Sequence, residues 1–124
     1  MNPQKLIVRK DRRSLEITFS ADEVYEFSAE MLRVLSPSAE VQGHSPQQRK
    51  TVSGKRDVEI MKMEPVGNYA VRITFDDLHD TGIFSWTFFR ELGENADQRW
   101  AEYLSNLQEK GFSREPSLPR EQNP

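Results

Sequence analysis

Tyr69, Val71, Ile73 and Phe75 alternate with Ala70, Arg72 and Thr74 in the cleanest period-two run of the chain. Successive side chains of a strand point to opposite faces, so this run predicts a strand with one buried side. A half-buried strand needs partner strands and a layer to cover it. Leu15, Ile17 and Phe19 repeat the pattern against Glu16, Thr18 and Ser20, and Leu6 and Val8 precede them across the polar turn Asp11-Arg12-Arg13. Two such runs in succession predict a hairpin. Val24-Tyr25-Glu26-Phe27 fits a third short strand, although Ser20 and Glu23 have capping-box spacing and offer a helical turn instead.

Ser28 suits a helix N-cap, with Met31, Leu32 and Leu35 on one face and Pro37 as the stop. Val58 and Ile60 open a second sheet region in which Met61 and Met63 take the opposite phase, so a bulge or two-sided burial is expected. Glu64-Pro65-Val66-Gly67 fits a type I turn. After the alternating run, a tight turn at Gly82 is expected to deliver Ile83, Phe84 and Trp86, with Trp86 as a buried anchor. Thr87 is placed to cap a short helix through Phe88, Phe89 and Leu92, closed by Gly93. Asn95 and Gln98 have capping-box spacing ahead of the stripe Trp100, Tyr103, Leu104, Leu107, and Gly111 with Phe112 fits a Schellman closure. Strands grouped around one helix, then helices, predict an α+β fold. The expected architecture is a small, twisted, mainly antiparallel sheet with helices packed on one side in two layers.

The chain has 124 residues, which fits one domain. Residues 1–112 are read as that domain and 113–124, with three prolines and no periodicity, as a disordered tail. Cysteine is absent, which removes disulfides, thiolate metal sites and cysteine nucleophiles together. No apolar run approaches the ~20 residues that span a bilayer, and no signal-peptide pattern opens the chain, so a soluble cytoplasmic protein is expected. A net charge of −3 gives no global attraction to nucleic acid or anionic membrane. Residues 43–56 differ from the rest: they hold Arg49, Lys50, Lys55 and Arg56 and no acid, which leaves 13 basic against 20 acidic residues elsewhere. Without periodicity or large apolar residues, the segment is expected to be a mobile basic loop. It could attract a phosphate-bearing partner, but it contains no aromatic residue to stack on a base.

The run Asp77-Leu78-His79-Asp80-Thr81-Gly82-Ile83-Phe84-Ser85-Trp86, together with Leu32-Arg33 upstream, resembles the N-terminal domain of gamma-butyrobetaine hydroxylase and its free-standing bacterial relatives. That family has an Asp-Gly-His-x-Thr-Gly-Ile-aromatic-x-Trp signature, with glycine where Leu78 stands here. The resemblance spans roughly residues 5–93. It implies a zinc site in the hydroxylase members, made of three cysteines in a Cys-x-Cys-x-x-Cys run and the signature histidine. The matching positions here are Ser36, Ser38 and Val41, with His79 retained. Serine stays protonated near neutral pH and valine has no donor atom, so neither metal nor cofactor is expected at this degenerate site. The iron and 2-oxoglutarate chemistry of the hydroxylases belongs to a separate domain. A facial triad needs two histidines and a carboxylate, usually with a His-x-Asp pair, whereas His44 is followed by Ser45-Pro46 and His79 directly by Asp80. No nucleophile elbow, phosphate loop or dinucleotide fingerprint is present.

In other members the domain is appended to P-loop ATPases that look like iron–sulfur cluster assembly factors. The common denominator is an accessory module, so a non-catalytic domain that binds an unidentified protein is expected. A metal or iron–sulfur accessory protein is the alternative, and a nucleic-acid or phosphate binder using residues 43–56 comes third. The candidate contact residues are Arg33, Asp77, His79 and Asp80, with Arg49, Lys50, Lys55 and Arg56 from the basic segment. For His79 the competing role is a hydrogen bond within the turn, fixing Asp77 or Thr81.

Overall fold

A computed structural model describes residues 2–43 and 49–116. Three strands come first: β1 (Lys5–Val8), β2 (Ser14–Ser20) and β3 (Glu23–Ser28). They form an antiparallel sheet in the order β1-β2-β3. Leu15, Ile17 and Phe19 are buried along β2, as their alternation predicts. The choice between strand and helical turn at residues 24–27 is decided for the strand, because Leu15–Thr18 offers it a continuous partner from Leu15↔Phe27 to Thr18↔Val24, before the register shifts at Ser20.

Helix α1 (Ala29–Val34) starts at Ser28, whose Oγ accepts from the Met31 amide at 3.0 Å. A single turn, α2 (Ala39–Gln42), follows. The chain then returns as β4 (Ile60–Val66), β5 (Ala70–Phe75) and β6 (Gly82–Ser85), a second antiparallel sheet in the order β4-β5-β6. The fold is α+β, with the strands divided between two three-stranded sheets. The division follows from the connection: α1, α2 and a long irregular segment separate β3 from β4, so no hairpin joins them. The expected bulge lies between Ile60 and Lys62.

Two turns fall elsewhere than the local residues suggest. Pro65 continues β4, and the reversal comes at Gly67-Asn68, closed by the Tyr69 amide on the Val66 carbonyl. Gly82 is the first residue of β6, and the turn before it spans residues 76–81. Gly82 is needed for space: a Cβ there would lie 2.5 Å from Ser36 Oγ and 2.9 Å from the Phe84 ring.

Helix α3 (Trp86–Glu94) is capped by Ser85, whose Oγ accepts from the Phe88 amide, so Thr87 comes too late to be the cap. Phe89, fully buried on α3, joins the two sheets by lying 5.7 Å from Phe27 and 5.6 Å from Phe84, ring centre to ring centre. Burying one aromatic against both sheets ties them into one core. Helix α4 (Ala96–Lys110) ends in the expected Schellman closure. Gly111 sits at φ 69°, its amide reaches the Gln108 carbonyl, and the Phe112 amide reaches Leu107. Asn95 precedes α4 without a side-chain cap and instead donates back to the Glu91 carbonyl.

Residues 113–116 are docked rather than loose. The Gly54 and Arg56 amides donate to the Ser113 and Arg114 carbonyls, and Arg114 makes a two-pronged bond at 2.8 Å to the buried carboxylate of Glu30. Residues 117–124 lie outside the described residues. Trp86 is half-buried at the edge of the core, with its indole N–H on the Asn68 carbonyl at 2.9 Å. It therefore anchors the rim of a cleft rather than the space between sheet and helices. No helix among the described residues is long and apolar enough to cross a membrane.

Candidate functional site

The turn after β5 and the segment after α1 meet in one corner. Phe75 and His79 close the turn through the Phe75 amide on the His79 carbonyl, and Asp77 Oδ1 accepts from the His79 amide at 3.1 Å. This brings the imidazole inward, 4% exposed, against the chain leaving α1. Ser36 Oγ lies 3.2 Å from His79 Nε2, and Glu40 Oε1 lies 3.0 Å from Nδ1. The Glu40 carboxylate accepts a hydrogen bond from Nδ1–H, so bare Nε2 accepts from the Ser36 hydroxyl, which in turn accepts from the Ser38 amide at 3.3 Å. Burial, and then the nearby Arg33 charge, lower the His79 pKa and keep the ring neutral. Ser36, Ser38 and Val41 are all buried, and of these positions Ser36 meets the His79 ring directly.

The donor set does not fit zinc. Two hydroxyls and an isopropyl group replace three thiolates, and both imidazole nitrogens are already engaged. Ser38 Oγ is buried with no partner, an orphan where a thiolate ligand would sit. Among the described residues no group of three or more His, Cys, Asp or Glu side chains could hold a metal ion. Ser36, His79 and Glu40 have the connectivity of a hydrolase triad. The nucleophile's place, however, is sealed: Ser36 is 0% exposed, and Gly82 leaves no room even for a methyl group against its hydroxyl.

Asp77 forms a second layer. Its carboxylate receives Arg33 Nε at 2.7 Å and Lys55 Nζ at 2.6 Å, with the three side chains 12–23% exposed. Burial pushes the Asp77 carboxyl up, but the bonds from Lys55, the His79 amide and Arg33 outweigh it and hold it at about 2. Leu78, between Asp77 and His79, has φ 72° and is 75% exposed. A left-handed conformation costs a branched residue roughly 1–2 kcal/mol, which explains the family's glycine at this place. Leu78→Gly is expected to stabilise the domain by about 0.5–1 kcal/mol, after the greater freedom of glycine in the unfolded chain is subtracted. Chemical denaturation checks it, and a lower midpoint in the variant counts against the strain.

The predicted contact residues thus divide. Arg33 and Lys55 both pair with Asp77, His79 faces inward, and Asp80 is exposed. In the basic segment, residues 44–48, His44 included, lie outside the described residues. The remainder is tied down: Arg49 bonds Gln42, the Lys50 amide bonds the Val41 carbonyl, Arg56 pairs with Glu115, and Tyr103 donates to the Val52 carbonyl at 2.6 Å. The four cations therefore do not form one open patch. Glu40, Glu30 and Arg114 were not singled out from sequence. A lone glutamate on a four-residue helix carries no periodic signal, and the Glu30–Arg114 pair spans 84 positions.

These features define an α+β domain of two small antiparallel sheets around one core, with a corner at the end of β5 where the buried Ser36 and His79 meet the exposed Glu40. The chain belongs to the family described as gamma-butyrobetaine hydroxylase-like, N-terminal, whose model matches residues 6–90. Two proteins solved in solution by NMR are similar over nearly all of it. One is 40% identical with a TM-score of 0.80, covering 94% of this chain and 91% of its own. The other is 43% identical with a TM-score of 0.78, covering 93% and 86%. A crystal structure of a protein of unknown function from Acidithiobacillus ferrooxidans, assigned to the DUF971 family, is 32% identical with a TM-score of 0.61, covering 74% of this chain and 92% of its own. No curated protein matches the chain.

Proposed function

We propose that this domain is a non-catalytic accessory module that binds another protein in the cytoplasm. The observation that carries the reading is the closure of its one chemical corner. Ser36, His79 and Glu40 satisfy each other, the hydroxyl is fully enclosed, and Asp77 is shared between two cations. An apolar opening instead lies between the edges of the two sheets. The cleft measures about 540 Å³ and is lined by Leu6, Val8, Met63, Pro65 and Trp86. Apolar clefts at sheet edges suit macromolecular contact better than chemistry that needs converging polar groups.

The tagged full chain should retain a stoichiometric protein from its own host cells after washing. Co-purifying iron would favour the metal accessory reading, for which the retained histidine corner is the supporting feature. Neither a partner nor a metal after cross-linking would sink both.

A further inference from the structure

Strand β1 is one of the two edges of the first sheet and forms one wall of the cleft. The Arg9 amide bonds the Ser14 carbonyl, and Val8↔Leu15 and Leu6↔Ile17 are the next pairs in alternate register. In an antiparallel ladder, hydrogen-bonded and non-bonded pairs alternate. The amides and carbonyls of Leu6 and Val8 therefore turn away from β2, toward the open edge, while their side chains line the cleft. The opposite wall, β4, carries Pro65, which has no amide to offer a new strand. The β1 wall offers both of its outward amides to a new strand, whereas the β4 wall lacks the donor at Pro65.

Charge decides what fits. Residues 5–13 hold five basic side chains, of which three are used within the domain. Arg9 pairs with Glu16 and Glu26, Arg12 bonds the Ile60 and Met61 carbonyls, and Arg13 pairs with Asp57. Lys5 and Lys10 remain, both exposed, one at the start of the edge strand and the other in the turn two residues past its end, with no ion pair among the described residues. A second copy is a poor occupant, since antiparallel β1 strands centred on Ile7 would set Lys5 opposite Arg9. We infer that the β1 edge and its cleft bind an extended protein segment that adds a strand to the first sheet, with a short apolar centre and acidic residues at both ends. The inference rests on the interaction-module reading above and names the chemistry of its partner.

The test uses the full chain, labelled with ¹⁵N, and the synthetic peptide Asp-Glu-Val-Thr-Val-Thr-Val-Glu-Asp. Amide exchange should slow at Leu6 and Val8 on binding, because those are the donors an added strand would engage. Affinity should fall with salt, and Lys5→Glu/Lys10→Glu should weaken it about tenfold while a lysine-ended peptide gains. Both positions are exposed, so the variant should keep its fold, which the remaining amide shifts would verify. Three results would overturn the proposal: no protection at Leu6 and Val8, equal binding of both peptides, or concentration-dependent self-association protecting the same amides without peptide. A cellular partner retained equally by the charge-reversed variant would remove the β1 assignment and leave the module reading intact. Peptide binding at β1 with no cellular partner would do the reverse.

Discussion

Replacing Ser36, Ser38 and Val41 together by cysteine is expected to convert the domain into a zinc binder. At zinc concentrations 100-fold above its dissociation constant, the triple variant should gain about 2.7 kcal/mol of stability, while the wild type gains none. The corner already supplies the fourth ligand and its support. His79 is buried and neutral, so no proton need leave an imidazolium, and Glu40 holds Nδ1 as an outer carboxylate that orients a ligating ring. What the wild type lacks is thiolate. Zinc deprotonates thiols and binds sulfur at about 2.3 Å, whereas a serine hydroxyl keeps its proton. Ser36 Oγ, 3.2 Å from Nε2, stands where a thiolate and an imidazole sharing one ion would flank it. Denaturation with and without added zinc is the measurement, and His79→Ala within the triple variant should weaken the response. A triple variant whose midpoint ignores zinc would show that the backbone of residues 36–41 has moved away from the family's arrangement. Elemental analysis giving one zinc per wild-type chain would overturn the view that the hydroxyls have replaced the metal.

That corner shows where sequence and fold part company. Signals within one element were readable: the alternation of β2 and β5, the Ser28 cap and the Gly111 closure all rest on neighbours a few residues apart. The turns were less so. Pro65 and Gly67 satisfy a type I turn locally, yet pairing Pro65 with Val71 extends β4, and the reversal moves on by two residues. Gly82 reads as turn punctuation, but its small size is required by Ser36, which lies 46 positions earlier in the chain. The meeting of Ser36 with His79 could be anticipated only through the family resemblance, because no period or cap relates residue 36 to residue 79. Glu40 escaped even that, since its role follows from the fold turning a surface side chain, still 64% exposed, onto a buried ring nitrogen. The basic segment misled for a related reason. A charge count treats Lys55 and Arg56 as free, while the fold hands one to Asp77 and the other to Glu115.

Asp77→Asn is expected to cost about 2–3 kcal/mol at neutral pH, the range for losing hydrogen bonds to a charged group. The amide can still accept from the His79 backbone and keep the turn, so the loss isolates the carboxylate's bonds to Arg33 and Lys55. Arg33 has an Nη1 that is already buried without a partner, so the variant leaves this guanidinium still less satisfied. The pH dependence follows from the sign of the shift. The folded carboxyl sits at about 2, below its ordinary 3.8, so the folded state binds fewer protons than the unfolded one between those values. The stabilisation is fully present above pH 3.8 and is lost as pH falls through about 2. Urea denaturation should therefore find a constant gap between wild type and Asp77→Asn from pH 7 to about pH 5, narrowing below 3.8 and closing near 2. Taking the difference removes most of the contribution from His79, which titrates in both proteins. A gap that persists unchanged to pH 2 would mean that the introduced carboxamide disturbs packing rather than charge, and the ion triad would lose its place as the clamp on this turn.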